Sequence, residues 1–467
     1  MGKNITIVYV ILLFICSCSF IPKYERPGMP VEKKFPDKKI FKNISFGNET
    51  NVTEIKWQDF IKDSKLKQII RLALKNNRDL RLAILNVEQA RALYGIKAAE
   101  LYPSLYVTSG MEKQRVPSDI SFTKKAYIKK QYSVNFGLAE WEIDFFGKIR
   151  SYKKEALEKF LAAKENRRAA QIALITEVSR AYLRLCADRE NLRIANELLK
   201  TAQNNLDLVK SQYDVGVATE IDLNRARTNV ESVKVAVVNL KQLVELDINT
   251  LNFLAGTHID DNLLPSGLPY ENPFEDIRPG LSSMVLLNRP DIMAAEHNLK
   301  ASYALIGAAR AAFFPSISLT SGIGTVSDDL SNLFKGSART WNLSLKGALP
   351  VFDARIWAAY KLSKVQRKIV LTQYEKTIQR AFKEVMDRLV TKATIDEQIE
   401  AQKALVDSLK RTYQLAINRY KQGIDSYFSV LDANRNLLQA KQNLTTLVMS
   451  KYANRVALYS ALGGGGD

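Results

Sequence analysis

Histidine is almost missing from this chain: His258 and His297 are the only two in 467 residues. Neither lies near cysteine or clustered carboxylates, so the spacing of a zinc site is absent and no metal is expected. Cysteine is also scarce, with three residues. Cys186 falls inside a helical pattern as a small core side chain, Cys16 and Cys18 sit at the N-terminus, and no disulfide framework is implied. No glycine loop able to cradle phosphate occurs, and no nucleophile, base and orienting group recur at usable spacing, which argues against an enzyme. Beyond the N-terminus there is no run of eighteen apolar residues, so a mature chain has no transmembrane helix. If it crosses a membrane it must do so with strands. The formal charge is +19, from 68 Lys+Arg against 49 Asp+Glu. The basic residues are spread beside Glu and Asp, as in "KKEALEKFLAAKENRR", without interleaved base-stacking aromatics, so nucleic acid is not an expected partner.

The N-terminus reads "MGKNITIVYVILLFICSCSF", with Lys3 ahead of an eleven-residue apolar stretch from Ile5 to Ile15. That is short for a bilayer span and has the layout of an export signal over residues 1–17. Ile15-Cys16-Ser17-Cys18 resembles a bacterial lipobox, in which a small residue precedes the modified cysteine. Cys18 is therefore the expected lipidation site. Cys16 is the weaker candidate, because bulky Ile15 precedes it. A covalent lipid on Cys18 is the only non-protein group expected, and two or three acyl chains would anchor the chain stably.

Shifting the sequence against itself reveals two copies of one unit. "GIKAAELYPSLYVTSG" from Gly95 aligns with "GAARAAFFPSISLTSG" from Gly307 at a shift of 212. Farther on, "YDVGVATEIDLNRA" from Tyr213 aligns with "YKQGIDSYFSVLDA" from Tyr420 at a shift of 207, which predicts a loop five residues shorter in the second copy. The fold class expected is mainly α with a β-barrel portion: duplicated long helical hairpins plus four strands. The organisation predicted is an N-terminal segment and first helix over 18–94, repeat 1 over 95–256, a Pro- and Gly-bearing linker over 257–284 and repeat 2 over 285–467. Repeat 1 carries predicted strands 104–111 and 133–145 and a hairpin over 148–253. Repeat 2 carries strands 316–326 and 342–352 and a hairpin over 355–462. In "YSVNFGLAEWEID" apolar and polar residues roughly alternate, the period of a sheet with unlike faces. Four strands cannot close a barrel, whereas three copies would supply twelve.

Proline is absent from Lys148 to Tyr213 and glycine from Lys148 to Val215, enough for a helix of roughly 65 residues, about 100 Å long. Apolar residues at Leu192, Ala195, Leu199, Ala202, Leu206, Val209 and Tyr213 alternate spacings of three and four, as in a coiled-coil seam. The returning helix repeats this at Leu223, Ala226, Val230, Val233, Val237, Leu240 and Val244. Adding 207 lands on apolar residues throughout the second copy except at Gln402 and Lys451.

With "CSFIPKYERP", "WEIDFFGKIR", "LLNRPDI", "FFPSISLTSG", "LPVFDARI" and two Y-x-x-G turns in this order, the chain resembles the outer-membrane factors, TolC-like exit ducts, and their lipoprotein branch that serves resistance-nodulation-division pumps. The resemblance implies a homotrimer, lipid-anchored in the bacterial outer membrane and reaching into the periplasm. It would pass drugs or other small toxic compounds outward by passive conduction, with a periplasmic adaptor and an inner-membrane pump as partners. It also implies site residues. The tips Val215-Gly216-Val217-Ala218 and Gln422-Gly423-Ile424-Asp425 would meet the adaptor. Phe428, Asp432 and Arg435, on one helical face at i, i+4 and i+7, would form a gate, Phe428 as apolar constriction and Asp432 as an acidic ring. An ordinary Asp432–Arg435 surface pair is the plainer reading of that face. The segments from Glu112 to Gln131 and Ser327 to Arg339 would be exterior loops. Two alternatives stand: a type I protein-secretion duct, and a lipid-anchored coiled-coil scaffold without a pore.

Overall fold

The computed structural model describes residues 19–35, 52–269, 271–277 and 282–466, so Cys16, Cys18 and the predicted signal lie outside the described residues. Helices start where a side chain can satisfy the first free N–H groups. Asp63 caps α1 (Ser64–Asn76), accepting from Lys65 and Leu66 at 2.8 and 3.0 Å. Asn77 does the same for α2 (Arg78–Ala99), accepting from Leu80 at 2.9 Å. Next come β1 (Leu105–Val116), β2 (Tyr127–Glu142), α3 (Lys148–Asp214) and α4 (Glu220–Ala255). The second copy supplies α5 (Pro290–Ala311), whose proline occupies the one helical turn that needs no N–H. It continues with β3 (Ser316–Ser327), β4 (Arg339–Ala348), α6 (Ala354–Lys421) and α7 (Tyr427–Ala461).

Two compact units divide the described chain, and each draws on both copies of the duplication. The repeats 95–256 and 285–467 are thus units of sequence, while space groups parts of each together. The first unit comprises residues 19–27, Asn86–Ala163 and Ala294–Tyr374. The second comprises the described residues of Gly28–Leu85 with Lys164–Met293 and Glu375–Asp467.

The first unit holds a four-stranded antiparallel sheet in the order β1-β2-β3-β4. Its register lines up Val107, Phe136, Ile323 and Trp341 in one row across all four strands. The next row, on the opposite face, is Thr108, Asn135, Gly324 and Thr340. One face is therefore aliphatic and aromatic and the other polar, and the apolar one is exposed, with Trp341 at 76 % and Val107 at 71 %. Such a face is stable only against an apolar medium or a partner. Among the described residues β1 and β4 are free edges.

The strands differ from expectation in two ways. β1 runs on to Val116 and β2 begins at Tyr127, so half of the segment read as a loop from Glu112 to Gln131 is ladder, on either side of a turn over 117–126. Charged and polar residues dominate both faces there, Val116, Tyr127 and Ile128 apart, which blurs the two-residue hydrophobic period. Nor is the loop between strands shorter in the second copy. β4 starts 212 residues after β2, whereas α6 starts 206 after α3, so the missing residues come out of the second strand, 16 residues in β2 and 10 in β4.

Residues 19–27 dock onto α5 in the same unit. The Phe20 ring stacks on Phe314 at 4.5 Å, and Phe314 on Phe146 at 5.0 Å. Tyr24 Oη donates to Glu296 Oε1 at 3.1 Å and Arg26 Nη2 to Glu296 Oε2 at 2.7 Å.

In the second unit the returning seam from Leu223 to Val244 is buried at all seven expected positions. Tyr213 departs from the seam and is 40 % exposed. Its counterpart Tyr420 packs against Tyr427 at 5.2 Å, but position 220, equivalent to Tyr427, is glutamate, so Tyr213 has no ring to meet. The two polar seam residues are satisfied: Gln402 Nε2 donates to the Ala440 carbonyl at 2.9 Å, and Lys451 pairs with Asp396 at 2.5 Å. Near the tips the hairpins share one core, with Val209, Leu223 and Ala226 packed among Tyr413, Ala416, Tyr427, Val430 and Ala433.

Candidate functional site

The tips follow from the need to turn a long helix back on itself. At the first, Val217 N–H donates to the Gln212 carbonyl at 2.8 Å, and at the second Ile424 N–H donates to Arg419 at 3.0 Å. This six-to-one bond closes a helix when the residue before it adopts a left-handed backbone. Gly216 and Gly423 supply that backbone, at φ +77° and +72°. The restart differs between copies. Thr219 and Asp222 form a reciprocal capping box at the head of α4. At the second tip Arg419 grips Asp425 with two bonds of 2.6 and 3.0 Å, holding that carboxyl below the usual range. Val215, Val217 and Ile424 are exposed apolar side chains, at 74, 73 and 56 %. Ala218 is partly buried against the shared core, and Gln422 is exposed.

Phe428, Asp432 and Arg435 line a single groove of about 630 Å³ between α4 and α7. Their repeat equivalents Ile221, Arg225 and Thr228 line the same groove, so both copies contribute to it. Phe428 is exposed, and the Arg225 guanidinium lies 5.7 Å from its ring centre. Among the described residues no ion pair joins Asp432 to Arg435. The Asp432 Oδ2 instead accepts from Asn436 Nδ2 at 3.1 Å.

Sequence reasoning missed Asp247 on α4. It is buried, its Oδ1 lies 3.2 Å from Arg184 Nε, and among the described residues its Oδ2 has no hydrogen-bond partner. Burial pushes its pKa up to about 7, with Asp188 reinforcing the shift and Arg184 opposing it. Asp188 and Asp247 are on different helices, and no local pattern brings them together.

The chain matches the outer membrane efflux protein family over residues 69–257 and 281–464. It is 40 % identical over 466 residues to the antibiotic efflux pump outer membrane protein ArpC of Pseudomonas putida, covering 100 % of this chain and 96 % of that one. It is 36 % identical over 461 residues to the cation efflux system protein CusC of Escherichia coli O157:H7, covering 98 % of each. The open state of the Neisseria gonorrhoeae MtrE outer membrane channel superposes with a TM-score of 0.85 at 33 % identity, over 96 % of this chain and 98 % of that one. The exposed apolar sheet face, the paired helical tips and these likenesses agree: the chain belongs to the outer membrane efflux protein family and is an outer-membrane efflux channel.

Proposed function

We propose that three copies assemble into a lipid-anchored exit duct that carries small toxic compounds from the periplasm to the exterior, without catalysis, as the outer component of a tripartite pump. The observation that carries this reading is the sheet with one exposed apolar face, one polar face and two free edges. In hydrocarbon an open edge leaves backbone groups unpaired at several kcal/mol each, so the edges must be closed by other copies. Three sheets of four strands give twelve, within the range of natural barrels, with the polar rows facing the lumen.

Cys18 carries the lipid in this account. Phe20, two residues on, is stacked beside the junctions where β2 meets α3 and α5 meets β3, which would hold an acylated terminus level with the inner leaflet. The tips around Gly216 and Gly423 meet the adaptor through Val215, Val217 and Ile424, apolar side chains that gain by leaving water. Phe428, Asp432 and Arg435 form the gate, Phe428 narrowing the passage and Asp432 drawing cations.

Expression in a strain lacking its own drug-efflux duct tests the substrate class. Restored resistance to small toxic compounds is expected. Restored secretion of a protein toxin without restored resistance would favour the type I secretion alternative.

A further inference from the structure

The outward face of the sheet changes character abruptly at its outer end. On β1 the row that includes Leu105, Val107 and Met111 continues as Lys113 and Arg115. On β2 the row of Phe136, Val134 and Tyr132 continues as Lys130 and then Ile128, which is exposed and pairs with Arg115. Lys113 and Lys130 are direct cross-strand partners, so their side chains project from the same face, side by side. Like charges directly opposed in a ladder are destabilising unless something neutralises them. Among the described residues no carboxylate forms an ion pair with Lys113, Arg115 or Lys130, and all three are exposed. Asp329, the acid that feels Lys130, already accepts from the Ser331 N–H and hydroxyl at 3.0 Å each. On β4 the apolar row of Leu345, Leu343 and Trp341 likewise ends in a basic residue, Arg339.

We propose that Lys113, Arg115 and Lys130 form a docking surface for the phosphorylated headgroup of an outer-leaflet lipid, whose acyl chains lie along the apolar rows beneath. The register supports this occupant over a soluble anion: Lys113 and Lys130 are each set two residues beyond an apolar side chain of their own face, Met111 and Tyr132, where a lipid places its phosphate relative to its chains, and Arg115 lies one step farther out, opposite Ile128. The helices leave the opposite end of the strands, so in an outer-membrane channel reaching into the periplasm this basic edge faces the outer leaflet. A phosphate between Lys113 and Lys130 removes their repulsion, and Arg115 can add a two-pronged contact.

The proposal rests on the outer-membrane placement and is tested separately from conduction. The full chain in detergent is titrated with diphosphoryl lipid A, with its phosphate-free form and with inorganic phosphate, and lipid adducts are counted by native mass spectrometry. The wild type is expected to retain the diphosphoryl lipid preferentially, with no competition from inorganic phosphate. The triple variant Lys113→Gln, Arg115→Gln, Lys130→Gln is expected to bind it about a hundredfold more weakly. Lys130→Arg, which keeps the charge, should bind as the wild type does. Equal binding of the two lipids, displacement by inorganic phosphate, or full retention by the triple variant would overturn the proposal. Conductance of the same samples in planar bilayers reports on the duct independently, so a conducting channel with no lipid preference would sink only this inference.

Discussion

Gly216 and Gly423, 207 residues apart, hold the same left-handed backbone and close their helices with the same six-to-one hydrogen bond, from Val217 to Gln212 and from Ile424 to Arg419. Nothing lies within 4 Å of a side chain built on either glycine, so the constraint there is conformational and the space around each tip is open.

Two outcomes at the second tip separate conformation from contact. Gly423→Ala should cost about 1 kcal/mol, from forcing a side chain into the left-handed region, and thermal unfolding should show it as a small shift with transport retained. Gly423→Trp projects a bulky ring from the tip, and should abolish efflux while leaving assembled trimers intact. Normal drug resistance in the tryptophan variant would refute adaptor contact at this tip.

Asp247 should make stability depend on pH. Its carboxyl is raised to about 7 in the folded chain against about 4 when unfolded, so the folded state binds the proton more tightly. The resulting stabilisation is complete below about pH 4 and is lost as pH rises through about 7, with a slope of at most about 1.4 kcal/mol per pH unit. Unfolding midpoints measured from pH 5 to 8 should fall more steeply for the wild type than for Asp247→Asn. Superimposable profiles would contradict the buried, proton-holding carboxyl.

Periodicity made the helical framework legible. The seam from Leu223 to Val244 is buried as its spacing requires, and the 207-residue shift carries over to the tips, where Gln212 corresponds to Arg419 and Val217 to Ile424. The strands were legible only where their two faces differ. Past Met111 and Tyr132 charged and polar residues dominate both faces, with only Val116, Ile128 and Tyr127 between them, and the ladder from Glu112 to Val116 looks like loop in sequence. Contacts between distant segments carry no local signature. Arg289, within the motif "LLNRPDI", is buried and donates to Asp291, to Glu384 and to the Ala461 carbonyl near the end of α7. Its structural task could not be read from neighbouring residues. The groove shared by Phe428 and Arg225 was half legible: repeat alignment pairs Ile221 with Phe428 and Arg225 with Asp432, but only packing places all four around one space.

Single-channel conductance in planar bilayers, wild type beside Asp432→Ala, tests the gated duct most directly. Small, cation-preferring openings that widen and lose their cation preference in the variant are predicted, because the variant removes one carboxylate per copy from the groove that holds Phe428. Well-folded trimers of both forms that pass no current, or pass the same current with the same ion preference, would contradict the account.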